Sequence, residues 1–145
     1  MDNFETLILS HCGTETEKKI TRFKKLFMRG NDMKLKKIYI SGPYDRTDQC
    51  FNRFVDLELT LRRTIKDVDV INPARIFYQM PGADDVQLTK MSLTLIEDCD
   101  FILIMNDSEE STRVYFEFAF AKCLGKKILF EDELEEWLPQ SFSEE

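Results

Sequence analysis

A single carboxylate interrupts an aromatic stretch in the last third of the chain. In the segment RVYFEFAFAKCLGKK, residues 113–127, Glu117 lies between Phe116 and Phe118. A charge on such an apolar helix is costly unless it is paired. Two interpretations follow. Glu117 forms an ordinary i,i+4 ion pair with Arg113, or it lies at a pocket wall, where partial desolvation suits a nucleophile or a base.

Two further segments have residue types that suit ligand contacts. In ISGPYDR, residues 40–46, a buried strand opens into a Gly-Pro turn, where Gly42 lets a ligand approach the backbone closely. In NDSEESTRVYFE, residues 106–117, Ser111 is a good N-cap, and the helix N-terminus that follows is a ready anion site. Each segment also has a purely structural interpretation, as a strand-ending turn and as a helix cap.

Other kinds of site are not expected. His11 is the only histidine, so Ser-His or Cys-His catalysis and a zinc site of the usual Cys and His type are improbable. The four cysteines, Cys12, Cys50, Cys99 and Cys123, show no CxxC spacing. We interpret them as reduced, mostly buried thiols in a cytoplasmic protein, and we predict no metal ion and no cofactor.

The composition indicates one soluble globular domain. A chain of 145 residues usually closes a single core, and 43% hydrophobic with 32% charged residues is typical of such proteins. The net charge of -7 opposes binding to long nucleic acids. No signal peptide is recognisable, and no segment has the roughly 20 apolar residues that span a bilayer. We therefore expect a small-molecule ligand, with no nucleic-acid polymer and no membrane as partner.

The elements that position these residues alternate between strand and helix. KKIYIS, VDVIN, DFILIM and ILF are predicted strands, and residues 48–67, 84–99 and 111–124 are predicted helices. A terminal helix, DELEEWL, has Asp132 as its predicted N-cap. The apolar strand cores IYI and FILI indicate parallel strands covered on both faces. The fold class is therefore α/β: a doubly wound, Rossmann-like or flavodoxin-like, mainly parallel sheet of four to five strands.

Helical spacing assigns faces to the helices. On the helix at 111–124, Glu117 shares a face with Val114 and Ala121, and a neighbouring apolar stripe contains Phe116, Phe120 and Cys123. The inward positions predicted for the two earlier helices are Phe51, Phe54, Leu57, Leu61 and Ile65 on the first and Val86, Leu88, Met91 and Leu95 on the second.

The chain divides into two parts. Residues 1–33 are weakly patterned and form a predicted helical appendage, with a helix over 14–28, and residues 34–145 form the α/β domain. Between the second strand and the following helix, residues 74–85 are long and rich in turn residues, and we expect them to cover the ligand. In doubly wound sheets the ligand binds beyond the carboxyl ends of the strands.

Four short motifs in this order resemble the nucleoside 2-deoxyribosyltransferase-like family. They are YISGP at the first strand, INP after the second, EDCD before the third, and S-x5-E at the following helix. The resemblance covers about residues 36–131. Within the family, the chain looks most similar to small, often phage-associated members that begin KIYISGP, for which the resemblance implies no particular activity.

The resemblance implies a covalent glycosyl-transfer chemistry. In the family, a glutamate at the position of Glu117 attacks the anomeric carbon, releases the base and forms a glycosyl-enzyme. The hydrolases of deoxynucleoside monophosphates carry a phosphate-binding serine at the position of Ser111 and a substrate-adjacent tyrosine at that of Tyr39. The turn of Ser41, Gly42 and Pro43 would then line the substrate site.

Two positions depart from the family pattern. Where many members place an aspartate that contacts the sugar or assists catalysis, this chain has Ser92, which can hydrogen-bond a hydroxyl but cannot act as a general acid. Where the hydrolases place a phosphate-binding arginine, it has Asp45, with Arg46 one step later as the substitute.

Several functions follow as expectations. The first is cleavage of the N-glycosidic bond of a deoxynucleotide or nucleoside, and base exchange by a deoxyribosyltransferase is its close alternative. A nucleotide-binding module without catalysis and a purely structural protein are the others. The resemblance also implies a homo-oligomer, a dimer or larger.

Overall fold

A four-stranded, all-parallel sheet forms the centre of the molecule. The computed structural model describes residues 36–134, so the predicted appendage and the end of the domain lie outside the described residues. The strands are β1 (Lys36–Ser41), β2 (Val68–Ile71), β3 (Phe101–Ile104) and β4 (Lys127–Phe130). Their order in the sheet is β2-β1-β3-β4. The predicted α/β fold with a parallel sheet is confirmed, with four strands in the described part of the chain.

Helices connect the strands and cover both faces of the sheet. They are α1 (Asp48–Thr64), α2 (Pro73–Tyr78), α3 (Asp85–Glu97) and α4 (Thr112–Cys123). On one face, side chains of α1 and α2 pack against Ile38, Ile40 and Leu103. On the other, α3 and α4 pack against Ile102 and Ile104. Alternate side chains of each strand therefore pack against α1 and α2 on one face and against α3 and α4 on the other. None of the helices within residues 36–134 is long and apolar enough to cross a membrane.

One helix was not predicted, and the ends of two others differ from the prediction, the first helix ending at Thr64 and not at residue 67. Helix α2 lies in the segment after the second strand, where the sequence is rich in turn residues and no helix was predicted. However, Pro73 occupies the first turn of a helix, where no N–H is required, and the Asn72 side chain accepts a bond from the N–H of Ala74. At the other end, the chain is helical from residue 131, so Asp132 lies inside the helix and is not its N-cap.

Most predicted core positions are confirmed, but the buried face of α3 was partly misassigned. Phe54, Leu57, Leu61 and Ile65 are buried, and Phe51 is partly buried against the same cluster. On α3, Leu88 is buried, Met91 and Leu95 are half-buried, and Val86 is 61% exposed. The buried face of α3 contains Leu88, Ser92 and Ile96. The face was misassigned because a polar residue such as Ser92 does not contribute to the apolar spacing that predicts a buried face.

The cysteines also differ from the prediction. Of those in the described part of the chain, Cys99 is buried, Cys50 is half-buried and Cys123 is exposed, and all are free thiols. Burial raises the pKa of Cys99 to about 12, which keeps this thiol protonated and unreactive.

The sheet has its switch point between β1 and β3. The connection from β1 leads outward to β2 on one side, and the connection from β3 leads to β4 on the other. Gly42 and Met105 follow directly after these two strands. A Cβ atom on residue 42 would lie only 3.0 Å from Cγ and 3.1 Å from Cβ of Met105, so only glycine fits without a shift. The crevice where such folds bind ligands therefore lies beside Gly42.

A buried carboxylate on the other face anchors α2. Glu58 of α1 is 5% exposed, and its Oε1 accepts bonds from Nδ2 of Asn72 at 3.0 Å and Nε of Arg75 at 2.7 Å. Its Oε2 accepts from Nε of Arg62 at 2.9 Å. Burial raises the pKa of Glu58, but these hydrogen bonds more than offset it, and the net pKa is lowered from 4.5. The start of α2 is thereby fixed to α1.

We predict that Glu58→Gln lowers the free energy of unfolding by about 1–2 kcal/mol at neutral pH, because charge-assisted bonds to two half-exposed arginines are lost. Since the folded pKa is lowered, this stabilisation is present above pH 4.5 and is lost as pH falls through the folded pKa. Denaturant unfolding of both proteins across pH measures the difference. The exposed Asp56→Asn, on the same helix, is the control. If the free energy of unfolding of Glu58→Gln is still lower than that of the wild type at low pH, this assignment is contradicted.

Candidate active site

Glu117 lies fully buried beneath the carboxyl end of β1 and accepts two short hydrogen bonds. Its Oε2 accepts from the hydroxyl of Tyr39 at 2.7 Å, and its Oε1 from the hydroxyl of Ser41 at 2.6 Å. Residues 39 and 41 lie on the same face of β1 because side chains alternate along a strand. The helix position of Glu117, on one face with Val114 and Ala121, aims its carboxylate at this face. The predicted face of α4 is confirmed.

Ser92 brings a third hydroxyl to the same carboxylate. Its side chain, on α3, is fully buried and donates to the carbonyl of Thr89 at 2.8 Å. It also interacts with Glu117 and Tyr39 closely enough to affect the pKa of both. The structure thus brings together Tyr39, Ser41, Ser92 and Glu117, which are distant in the sequence. Two of these hydroxyls, of Tyr39 and Ser41, donate to the Glu117 carboxylate, whereas the Ser92 hydroxyl donates to Thr89.

Arg113 supplies the positive charge. Its Nε lies 3.5 Å from Oε2 of Glu117, so the i,i+4 ion pair considered from the sequence is present. A terminal nitrogen of the same guanidinium donates to the carbonyl of Gly42 at 2.6 Å. Its central carbon lies 5.2 Å from the ring centroid of Phe77, a cation–π arrangement. Arg113 therefore joins α4 to the turn after β1 and to α2.

Burial dominates the electrostatics of the cluster. Desolvation raises the pKa of Glu117, and Arg113 and the surrounding hydroxyls only partly counteract it. The pKa of Tyr39 is raised well above 10.0, first by burial and then by the adjacent Glu117 carboxylate. Tyr39 consequently keeps its proton and acts as a hydrogen-bond donor to the carboxylate.

A large groove runs along the carboxyl edge of the sheet, and Glu117 is not part of its surface. Pro43, Ser111, Arg113 and Phe116 line the groove. One of the two interpretations of the sequence placed Glu117 at a pocket wall, but this residue is fully buried. Arg113, whose Nε lies 3.5 Å from Oε2 of Glu117, lines the groove at this point. Of the aromatic residues flanking Glu117, Phe118 packs against the sheet, whereas Phe116 is 58% exposed.

The structure also locates the other predicted residues. Ser111 is the N-cap of α4, and its Oγ accepts from the N–H of Val114 at 3.3 Å. Pro43 lines the groove beside the Gly42 turn. Arg46, in a left-handed backbone conformation with φ of 69°, donates to the carbonyls of the loop before α3, at Met80, Pro81 and Ala83. In this conformation Arg46 therefore binds the segment that was expected to cover a ligand.

The neighbouring Asp45 has a structural role. Its Oδ1 accepts from the N–H of Thr47 at 3.0 Å and from the Thr47 hydroxyl at 2.6 Å, which lowers its pKa. Sequence reasoning missed Phe77, the ring beneath Arg113, because no helix was predicted in its segment. The Asn-Pro pair of residues 72 and 73, a frequent helix start, was the signal that could have revealed it.

Comparison with known proteins gives one informative likeness. No protein-family model matches the sequence, and no curated protein matches it. Among solved structures, the chain is similar to a 2-desoxiribosyltransferase from Leishmania mexicana, at 25% identity and a TM-score of 0.51. The match covers 66% of this chain and 63% of that protein, so this chain spans less than two thirds of its length. This likeness supports the nucleoside 2-deoxyribosyltransferase-like fold, and the narrower likeness to the KIYISGP members stays a prediction.

We predict that Glu117→Gln becomes progressively more stable relative to the wild type as pH rises. Because the folded pKa of Glu117 is raised above 4.5, the stability that its protonated form contributes is present below that value and is lost as pH rises through the folded pKa. The glutamine variant has no proton to lose. Thermal unfolding of both proteins at a series of pH values gives the difference.

The control for this experiment is Glu110→Gln, an exposed carboxylate just before α4. It should show no such trend. A difference between Glu117→Gln and the wild type that stays constant from acidic to alkaline pH would show that the buried carboxylate does not titrate as described.

Proposed function

We propose that this protein cleaves the N-glycosidic bond of a deoxynucleoside 5′-monophosphate or nucleoside, with Glu117 as the nucleophile. The observation that carries the proposal is the position of the carboxylate. It lies beneath the carboxyl end of β1, at the switch point of the sheet, and two hydroxyls hold it at 2.6 and 2.7 Å. The likeness to a 2-desoxiribosyltransferase supports chemistry on a nucleoside.

The reaction proceeds in two steps. A carboxylate oxygen of Glu117 forms a bond to the anomeric carbon while the bond to the base breaks, and the base leaves with the electron pair and takes up a proton. The product is a glycosyl ester of Glu117. A water molecule then attacks the anomeric carbon, loses a proton and regenerates the carboxylate. The net reaction is hydrolysis, and the sugar retains its configuration.

The hydroxyls of Tyr39 and Ser41 have a defined part in both steps. In the first, they orient the carboxylate towards the crevice. In the second, the carboxylate is the leaving group, and their hydrogen bonds stabilise the charge that returns to it. Tyr39 suits this part because its raised pKa keeps its hydroxyl protonated.

The groove supplies the binding groups. Ser111 and the N-terminus of α4 form a site suited to an anion such as a 5′-phosphate. The turn of Gly42 and Pro43 lets the sugar approach the backbone closely. Ser92 is able to hydrogen-bond but not to protonate a departing base, so we expect slow turnover and a preference for bases that leave easily.

Two other functions have specific support. Base exchange, in which a second base replaces water in the second step, is favoured by the likeness to a 2-desoxiribosyltransferase. Binding without turnover is favoured by Ser92 and by the full burial of Glu117. Exchange onto an added second base separates the first alternative from hydrolysis. A nucleotide-induced thermal shift that persists in Glu117→Gln, with no base released, would favour the second.

The principal test is base release from a panel of nucleosides and their 5′-monophosphates, followed by chromatography. We expect release by the wild type and a loss of about a thousandfold or more in Glu117→Ala, the scale of losing a nucleophile. Mass spectrometry of the protein after a short incubation should show an added sugar on Glu117. Release from no substrate, or undiminished release by Glu117→Ala, would refute the proposal.

A second prediction concerns the hydroxyls. Tyr39→Phe and Ser41→Ala each remove a hydrogen bond that lowers the pKa of Glu117, so its pKa should rise. Because the nucleophile must be ionised, the acid limb of the pH dependence of kcat/KM should move to higher pH, with a decrease of about tenfold or more at neutral pH. An acid limb that stays in place in both variants would show that these bonds do not tune the nucleophile.

A further inference from the structure

The side chain of Arg113 separates Glu117 from the groove. Arg113 contributes to the groove surface, and Glu117 does not. The exposed fraction of the side chain is 12% for Arg113 and 1% for Glu117. A ligand that enters along the carboxyl edge therefore meets the guanidinium before it meets the carboxylate. The proposed reaction requires contact between Glu117 and an anomeric carbon, so this side chain must first move.

The contacts of Arg113 bridge the two sides of the crevice. Its guanidinium donates to the carbonyl of Gly42 at the end of β1 and lies over the ring of Phe77 from α2. Arg113 itself belongs to the first turn of α4. Phe77 is fully buried, and its helix is anchored through Asn72 to Glu58. We call this position of the Arg113 side chain the closed position. It is held by the turn after β1, by α2 and by its own helix, α4.

The closed position nevertheless leaves part of the guanidinium unsatisfied. Nε of Arg113 is buried without a hydrogen-bond partner, because the 3.5 Å to Glu117 is longer than a good N–H···O bond. A buried donor without a partner is costly, and an arginine favours paired bonds to one planar or tetrahedral anion. An anionic ligand group offers this arginine more complete bonding than the closed position does.

We propose that Arg113 is a gating residue that makes access to Glu117 depend on negative charge in the ligand. This inference rests on the proposed function of Glu117. An anionic group near Ser111 pairs with the guanidinium, which leaves Glu117 and the carbonyl of Gly42. The carboxylate then faces the groove, and the freed carbonyl accepts from a ligand hydroxyl. A neutral ligand gives the arginine no replacement partner, so it opens the site poorly.

The first experiment compares a nucleoside with its own 5′-monophosphate as substrates. For the wild type, kcat/KM should be higher for the monophosphate. In Arg113→Ala the gate and its charge are both absent, so the monophosphate should lose its advantage over the nucleoside. Because the loss of Arg113 also raises the pKa of Glu117, kcat/KM for the two substrates is compared at pH values above the acid limb. A variant that loses activity equally on both substrates, or keeps the wild-type ratio, would overturn the inference.

The second experiment does not depend on turnover. A water-soluble carbodiimide with an amine labels accessible carboxylates, and peptide mass spectrometry measures labelling of Glu117. If the open form is a minor state of at most about 10%, labelling should rise by about tenfold or more in Arg113→Ala. In the wild type, sodium sulfate should raise labelling above sodium chloride at equal ionic strength, and Arg113→Ala should show no such response.

The matched control is Arg53→Ala. Arg53 also lines the groove, but its guanidinium contacts the carbonyl of Asn106 and the carboxylate of Glu131. In Arg53→Ala, Glu117 should be labelled to the same extent as in the wild type, and sodium sulfate should raise this labelling as it does in the wild type. If Arg113→Ala labels like the wild type, or sulfate has no effect on the wild type, the gate is refuted. Labelling that follows the expectation without base release from any substrate supports the gate and refutes the proposed function.

Discussion

The described structure is organised around one buried negative charge. Glu117 has no exposed surface, and a carboxylate in such a position is tolerated only when other groups replace its water. Tyr39 and Ser41 from β1 donate hydrogen bonds to this carboxylate, and Arg113 from α4 places a positive charge 3.5 Å away. The requirement explains why the buried part of β1, residues 38–41, has Tyr39 and Ser41 on one face.

A second buried carboxylate supports the first from the opposite side of the sheet. Glu58 fixes Asn72 and Arg75, and thereby the helix that carries Phe77. The ring of Phe77 lies against the guanidinium that pairs with Glu117. The two acids differ in their electrostatics: hydrogen bonds and half-exposed arginines lower the pKa of Glu58, whereas desolvation raises that of Glu117. The first is typical of a structural anchor, and the second is expected where burial outweighs the neighbouring positive charge.

The sequence predicted the sheet and its long helices because their signals are local. Apolar strand cores, helical spacing and the Ser111 cap each lie within a few residues. The likeness to a solved transferase supports the fold predicted from the YISGP, INP and EDCD motifs. Burial of the site was harder to predict. Nothing local shows that Arg113 contacts Gly42, that Arg46 binds the loop before α3, or that Ser92 faces inward, because these facts depend on how distant elements pack.

The bond between Tyr39 and Glu117 joins residues 78 positions apart in the chain, and that between Ser41 and Glu117 joins residues 76 apart. Parallel strands and such long-range contacts form late and slowly in folding, because the entropic cost of closing a large loop comes before the contacts that stabilise it. During synthesis, β1 is complete long before α4 exists. The hydroxyls of Tyr39 and Ser41 therefore have no Glu117 acceptor until α4 has formed, and the carboxylate stays hydrated until α4 packs against the sheet. The hydrogen-bonded cluster around Glu117 is thus completed only when α4 packs against β1, and chains in which this packing has not formed do not contain it.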